Sequence, residues 1–323
     1  MKRALALVAL AVPLAAGAQA AFAQAYPNKP INAIVTNPPG PVTDLFVRAV
    51  SRPMGESLGQ SIIVDNRGGA SGMIGAEYVA KAAPDGYNLL FCTNSQMVGV
   101  MYLNKNVPYD PLKDFTPIAT TIAPVEVLVV KTSLPFKTVR DLVDYAKANP
   151  GKLSYGSAGV GSVFHLNGEQ LNSVAGIQTL HVPYKSPILA AQDVVAGQVD
   201  MAFTSYGGIQ GLAAGGKLRI LGNMEKERYK RLPDVQTIAE SIPGYEKVDS
   251  WFVMMGPPKL PAPIVSRLNA ELVKALKTPE MQKWMDENGA VPLGGSPAQV
   301  TELIKTGGVK FKKLVDTIGL KPE

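Results

Sequence analysis

The chain has 323 residues, of which 46% are hydrophobic and 18% are charged. This length suggests two domains, and the balance is sufficient to bury a hydrophobic core. The formal net charge is +6, and removal of Lys2 and Arg3 with the leader described next lowers it to +4. The sequence has no polybasic run, so it excludes a nucleic-acid partner of the usual kind, whereas mild basicity suits an acidic small molecule.

Residues 1–25 have the pattern of a secretory signal peptide. A positive start precedes the apolar segment Ala4–Ala16, which is too short to span a bilayer. Ala23-Gln24-Ala25 is an A-x-A cleavage site near Ala25, and Ala18-Gln19-Ala20 is a second candidate. We therefore predict an exported protein that begins near Tyr26, resides in the periplasm and inserts no segment of the mature chain into the membrane.

The residues of redox and metal chemistry are few. Cys92 is the single cysteine, so no intramolecular disulfide can form, and its position in a strand predicts a buried structural thiol. His165 and His181 are the two histidines, and no His/Cys/Asp cluster has the spacing of metal ligands. We expect neither a metal nor a cofactor.

The first unit of the mature chain is a strand, Ile31–Thr36, followed by the proline-rich turn 37–41 and a helix. The helix has apolar residues at positions 42, 45, 46, 49 and 50, which is the spacing of one helix face. Such a turn points the free N–H groups of the helix start out of the strand end, where they can bind an anion. Thr43 or Asp44 could instead cap the helix, because capping uses the same N–H groups. The sequence leaves both interpretations open.

Strands and helices alternate along the rest of the chain, which predicts mostly parallel sheets. Further strands are predicted at Ser61–Asp65, Leu89–Cys92, Val125–Val130, Leu153–Gly156, Gln178–Val182, Val199–Phe203, Leu218–Leu221 and Ser250–Met255. Further helices are predicted at Met73–Ala82, Val139–Ala148, Val163–Val174, Ala190–Val195, Ile264–Leu276, Glu280–Asn288 and from Pro297 to about Leu314.

The second half repeats the logic of the first: a strand, the glycine-rich turn Ser157–Ser162 and a helix start. We interpret this as two similar α/β lobes with crossings near residues 125–130 and 250–255. Lobe 1 would comprise residues 26–124 and 254–323, and lobe 2 residues 125–253. Crossings with little tertiary support favour hinge motion.

Seven ordered sequence blocks resemble the Bug receptors, which are periplasmic solute-binding proteins of tripartite tricarboxylate transporters. The resemblance covers essentially the whole mature chain and rests on these blocks: Tyr26-Pro27-x-Lys29-Pro30-Ile31, Pro38-Pro39-Gly40-x-x-Thr43-Asp44, Asn66-Arg67-x-Gly69-Ala70-x-Gly72, Ala82-Ala83-Pro84-Asp85-Gly86-Tyr87, Tyr155-Gly156-Ser157-x-Gly159-x-Gly161-Ser162, His181-Val182-Pro183-Tyr184-Lys185 and Gly197-Gln198-Val199-Asp200.

The resemblance implies a two-lobed periplasmic binding protein of type II, a Venus-flytrap with mixed, mostly parallel sheets flanked by helices. It implies a receptor, not an enzyme, that binds a carboxylate between its lobes and works with membrane transporter subunits; we expect a monomer. The implied ligand contacts are Asn37, Pro39, Thr43 and Asp44 from lobe 1 and Ser157, Ala158, Gly161 and Ser162 from lobe 2, with Asn94, Ser95, Thr204 and Ser205 on the walls; Val42, His165 and Tyr184 complete the candidate set.

Two departures from the family pattern bear on the ligand. Pro41-Val42 stands where many relatives have a second glycine, which removes an N–H and adds apolar bulk. Thr204 stands where many relatives carry an aspartate that could hold an ammonium group. We therefore expect a dicarboxylate without an amino group, with an aromatic one such as terephthalate among the candidates. Phe164, Tyr184 and Tyr206 could stack on its ring.

Two other functions are compatible with the sequence. A secreted hydrolase or isomerase could use His165 with Ser157 or Ser162 as nucleophile. A ligand sensor would keep the fold and dock on a signalling partner instead of a transporter.

Overall fold

The computed structural model describes residues 26–320. The predicted signal peptide lies outside this part of the chain. The strands are β1 (Ile31–Val35), β2 (Ile62–Asn66), β3 (Asn88–Thr93), β4 (Thr116–Thr120), β5 (Ile122–Pro124), β6 (Glu126–Lys131), β7 (Ser154–Ser157), β8 (Leu180–Pro183), β9 (Met201–Ser205), β10 (Leu218–Asn223), β11 (Phe252–Gly256) and β12 (Ala290–Pro292).

The α-helices are α1 (Val42–Leu58), α2 (Met73–Ala80), α3 (Val100–Leu103), α4 (Val139–Ala148), α5 (Val163–Ala175), α6 (Pro187–Ala196), α7 (Tyr206–Ala214), α8 (Ile238–Ser241), α9 (Ala262–Leu276), α10 (Pro279–Glu287) and α11 (Pro297–Ile318). No helix in the described range is both long enough and apolar enough to cross a membrane.

Two five-stranded sheets form the framework, with the strand orders β2-β1-β3-β11-β4 and β10-β6-β9-β7-β8. In the first sheet β1 is parallel to β2 and β3, whereas β11 is antiparallel to β3 and β4. In the second sheet β7 is parallel to β8 and β9, whereas β6 is antiparallel to β9 and β10. These mixed sheets flanked by helices confirm the predicted two-lobed α/β fold.

Alternation along the strands of the first sheet builds a core on each face. On one face Ile31, Ala33 and Val35 of β1 belong to a cluster with α1 and α9. On the other face Ile34 belongs to a cluster with α2 and with Phe311 of α11. The C-terminal helices therefore pack on the first lobe, as predicted. Cys92 is fully buried in the second of these clusters, which confirms the predicted burial of its thiol.

The second sheet likewise has a core on each face. Phe203 of β9 packs in one cluster with α4 and α5, and Ala202 of the same strand packs in another with α6. Both sheets therefore lie between helices. The helices cover the faces of the sheets, so polar turns can follow the strand ends.

The chain passes between the two sheets twice. β5 pairs with β12, and β6, which starts two residues later, belongs to the second sheet. The return to the first sheet occurs just before β11 at Phe252. Sheet membership thus supports crossings near residues 125 and 251, and the division of the chain into lobes at these points stays our proposal.

The structure contains strands that the sequence did not predict. The sequence predicts a loop over Met101–Pro117 because of its prolines, and no strand between that loop and Val125, yet β4 begins at Thr116 and includes Pro117. Proline is tolerated there since β4 is the edge strand of its sheet. The three-residue strands β5 and β12 exist through pairing with each other, which no local pattern reveals.

Candidate functional site

A cleft of about 870 Å³ is lined by residues of both lobes. Lobe 1 contributes the turns that follow β1, β2 and β3, and lobe 2 contributes the turns that follow β7 and β8 and the end of β9. All of these segments follow the carboxyl ends of strands, where open α/β sheets bind ligands.

The turn between β1 and α1 is held by Asp44. One carboxylate oxygen, Oδ2, accepts hydrogen bonds from the Gly40 N–H at 3.0 Å and from Arg48 Nε at 3.1 Å. The other, Oδ1, accepts one from Asn66 Nδ2 at 2.9 Å. Burial raises the pKa of Asp44, but the hydrogen bonds from Arg48, Gly40 and Asn66 outweigh burial and hold the pKa below its usual value. Asp44 is therefore a charged anchor for the turn.

The start of α1 is open to the cleft. Pro41 is its N-cap residue, and no side chain caps the helix. Neither Thr43 nor Asp44 plays the capping role that the sequence allowed, since the Asp44 carboxylate binds the N–H of Gly40, ahead of the helix. The first-turn N–H groups thus keep their capacity to bind an anion.

The turn between β7 and α5 is fixed from within. Ser162 caps α5, since its Oγ accepts from the His165 N–H at 3.2 Å and donates to the Gly159 carbonyl at 2.8 Å. His165 Nδ1 accepts from the Gly161 N–H at 3.1 Å. Gly161 has φ +77°, which favours glycine. These internal hydrogen bonds hold the turn so that it presents a second helix start to the cleft.

The structure brings eleven of the fifteen candidate residues to the cleft wall: Asn37, Pro39, Val42, Thr43, Asn94, Ser95, Ala158, Gly161, Ser162, Tyr184 and Ser205. Ligand contact by these residues stays a prediction. The remaining four, Asp44, Ser157, His165 and Thr204, do not line the cleft.

Each of these four side chains is turned into the protein for a definite reason. Asp44 supports the turn as described above. Thr204 is fully buried because successive side chains of β9 alternate, and Ser205 takes the cleft side. Ser157 is fully buried and its Oγ lies 2.7 Å from His181 Nε2. His165 stacks on His181, with ring centroids 4.0 Å apart.

This arrangement does not form the nucleophile pair considered above. The His165 ring accepts a backbone N–H, and neither Ser157 nor Ser162 donates a hydroxyl hydrogen bond to it. Burial lowers the pKa of His165 to about 4; burial and the neighbouring His165 lower that of His181 to about 4. Both imidazoles are therefore neutral at pH 7 and withdrawn from the cleft.

Of the three aromatic candidates for ring stacking, two reach the cleft. Phe164 and Tyr184 line it, whereas Tyr206 does not. Tyr206 instead packs edge-on against Tyr229, with ring centroids 5.5 Å apart. It starts α7, a helix that is not among those predicted from the sequence.

Sequence reasoning missed a third helix start at the cleft. The five consecutive residues Tyr184–Ile188 all line it, and α6 begins at Pro187, three residues before the predicted helix. Ser186 caps this helix by accepting from the Ile188 N–H at 3.3 Å. The signal was present in the sequence, because serine followed by proline is a typical helix start.

The charge on the wall is simple. Among the described residues that line the cleft there is no Asp or Glu, and Lys185 is the single Lys or Arg. Two buried oxygens on the lobe 1 wall, Thr36 Oγ1 and Asn94 Oδ1, have no hydrogen-bond partner. Asn94 Nδ2 donates to the Asp249 carbonyl at 2.7 Å, which leaves its oxygen for another partner. The Asn94 oxygen can only accept a hydrogen bond, so an anion would be held by Lys185, the Thr36 hydroxyl and the helix starts. The described wall offers no counter-ion to an ammonium group.

Comparisons with known proteins find relatives that are similar over nearly the whole chain. A "UPF0065 protein in tcbD-tcbE intergenic region" from Pseudomonas sp. (strain P51) is 37% identical over 97% of this chain and 93% of its own length. "Protein BugT" from Bordetella pertussis is 31% identical over 99% of both chains. The solved structure of "R. palustris Rpa4515 with adipate" has a TM-score of 0.88 and 32% identity, and covers 92% of this chain and 100% of its own.

The family model described as "Tripartite tricarboxylate transporter family receptor" matches residues 46–320. The resemblance drawn from the seven sequence blocks is thereby confirmed. This chain belongs to the tripartite tricarboxylate transporter receptor family of solute-binding proteins.

Proposed function

We propose that this protein is a periplasmic receptor that captures a dicarboxylate without an amino group between its lobes and delivers it to a tripartite tricarboxylate-type transporter. The observation that carries the proposal is the composition of the cleft wall: the starts of α1, α5 and α6 lie there, and no acidic side chain between residues 26 and 320 lines it. Helix starts bind anions through free N–H groups and the helix dipole. Adipate, the ligand of the similar protein from R. palustris, is a dicarboxylate without an amino group.

An aromatic dicarboxylate fits the same wall. Phe164 and Tyr184 both line the cleft and can pack against a ring. The volume of about 870 Å³ lies within the range of about 300–1,000 Å³ that is usual for small-molecule sites. Terephthalate is therefore the aromatic candidate to test beside adipate.

Calorimetric titration of the purified protein tests the choice of ligand. We expect adipate or terephthalate to bind and L-aspartate, which adds an ammonium group to a dicarboxylate, to bind at least about tenfold more weakly because no acidic side chain pairs with its amine. Tight binding of aspartate or glutamate and none of the unsubstituted acids would refute this ligand class.

Capture would be coupled to closure, because a ligand that touches both lobes favours the conformation in which they approach.

Delivery is tested in cells: loss of the receptor should abolish uptake of the radiolabelled acid, and the chain supplied in trans should restore it. Export is tested by intact-mass analysis of the periplasmic fraction. The expected mature chain starts at Tyr26, and a start at Ala21 would identify the upstream cleavage site.

A further inference from the structure

Lys185 has an unusual place in the cleft. It lies between β8 and α6 and is the single positively charged side chain that lines the cleft among the described residues. It is exposed, and no carboxylate between residues 26 and 320 forms an ion pair with it. The acidic residue of α6, Asp193, accepts a hydrogen bond from the Tyr184 hydroxyl at 2.8 Å.

The position of Lys185 works against the stability of α6. It immediately precedes the N-cap Ser186, at the positive end of the helix dipole, and the first turn contains no acidic residue. A cation there is unfavourable, because the dipole favours negative charge at a helix start. Departures from local preference of this kind are expected at functional sites. The ammonium group and the helix start together attract an anion into the cleft.

Lobe 1 offers a separate place for negative charge. The uncapped start of α1 lies there, and the unpartnered oxygen of Thr36, a side chain that is 1% exposed, lines the same wall. An anionic group at α1 and another at Lys185 would lie on different lobes. A ligand with two negative ends can satisfy both positions at once, whereas a monoanion can satisfy only one of them.

We propose that Lys185 is the residue that selects dicarboxylates over monocarboxylates, by pairing on lobe 2 with the carboxylate that is distal to the α1 turn. This inference rests on the proposed function and adds to it the requirement for a second negative charge. Because a dianion held at both the α1 turn and Lys185 spans the two lobes, Lys185 also contributes to closure on dianions alone.

The experiment compares two pairs of acids of matched carbon skeleton, adipate with hexanoate and terephthalate with benzoate, by calorimetric titration. The variants are Lys185→Gln, Lys185→Arg and the control Lys152→Gln, which removes an exposed lysine of lobe 2 that does not line the cleft. Circular dichroism and thermal unfolding confirm that each variant is folded.

We expect Lys185→Gln to weaken binding of the diacid by at least about tenfold, since a charged hydrogen bond is lost, and to leave the monoacid within about twofold. Lys185→Arg should retain most of the diacid affinity, and Lys152→Gln should match the wild type. The salt dependence of diacid binding should be weaker in Lys185→Gln.

Two results overturn the inference in distinguishable ways. If the wild type and Lys185→Gln bind a diacid equally well, Lys185 does not select dicarboxylates and the receptor function stands. The same holds if the wild type binds diacid and monoacid with equal affinity. If the wild type binds none of the four acids, both the proposed ligand class and the role of Lys185 are refuted.

Discussion

The imidazole rings of His165 and His181 stack behind the glycine-rich turn of lobe 2, with centroids 4.0 Å apart and ring planes inclined by 23°. The pKa of each is lowered to about 4, His165 by burial and His181 by burial and its neighbour. An unfolded histidine has a pKa of about 6.5. The stability that the two neutral rings contribute is thus complete above pH 6.5 and is lost as the pH falls toward 4. We expect the melting temperature to fall across this window, measured by thermal unfolding at pH 7, 6, 5 and 4.

Glu126 opposes this acid dependence. Burial raises its pKa to about 7 against the effect of Lys247, and Glu225 raises it further. A raised carboxyl pKa contributes stability that is complete below the unfolded value of about 4.3 and is lost as the pH rises toward 7. Glu126→Gln removes this contribution, so its melting temperature should fall more steeply on acidification than that of the wild type. A melting temperature that stays level from pH 6.5 to 4 in Glu126→Gln would contradict the assignment to the histidines.

Gly207 marks a close contact between the lobes. A Cβ atom at this position of α7 would lie 2.1 Å from the carbonyl oxygen of Asn288, a backbone atom that follows α10. We expect Gly207→Ala to lower the free energy of unfolding by at least about 1 kcal/mol, because the main chain must move to admit the methyl group. Urea unfolding followed by circular dichroism measures this change.

Gly211→Ala is the matched control, since Gly211 lies one turn further along the same helix with nothing within 4 Å of a Cβ atom. Alanine is the better helix former, so this variant should gain about 0.5–1 kcal/mol. Equal changes in both variants would show that helix propensity, and not the contact with Asn288, governs the result.

Asp44 supports the α1 turn without lining the cleft, so its replacement should act on the ligand indirectly. Asp44→Asn weakens the charge-assisted hydrogen bonds from the Gly40 N–H and Arg48. We expect a loss of about 1.5–3 kcal/mol in stability, as for hydrogen bonds to charged groups, and weaker ligand binding as the turn loosens. Thermal unfolding and calorimetric titration measure the two effects.

Asp65→Asn is the comparison for Asp44→Asn. Asp65 forms an ion pair with Arg67 in which both side chains are more than a third exposed, so its loss should cost less than about 1 kcal/mol. The ligand affinity of Asp65→Asn should equal that of the wild type. If Asp44→Asn behaves like Asp65→Asn in both measurements, the turn is held by other contacts.

Cys92 should be inert in the folded protein. Its side chain is fully buried, and burial raises the pKa of its thiol well above the usual value. Since the thiolate is the reactive form, we expect no labelling by iodoacetamide under native conditions and complete labelling in denaturant. Mass spectrometry detects the labelled thiol. Fast labelling under native conditions would indicate that the core of lobe 1 opens readily.

The sequence alone was sufficient for features that depend on neighbours along the chain. The strand-turn-helix unit at α1 and its counterpart at α5 follow from apolar spacing and turn residues, and both helix starts reach the cleft in the structure. The start of α6 was also encoded, by Ser186 and Pro187, but was placed three residues too late. Family membership was predictable as well, because the seven blocks are local motifs.

Tertiary structure decided which side chains face the ligand. Four candidate residues are neighbours in the chain of residues that line the cleft, yet packing and hydrogen bonds turn their side chains into the protein: Asp44, Ser157, His165 and Thr204. Direction depends on strand alternation, on the register of the sheet and on partners such as Asn66 and His181, which are distant along the chain. A turn can be recognised from its own residues, but the side that it presents to a cleft is fixed only when the distant parts of its own lobe have packed around it.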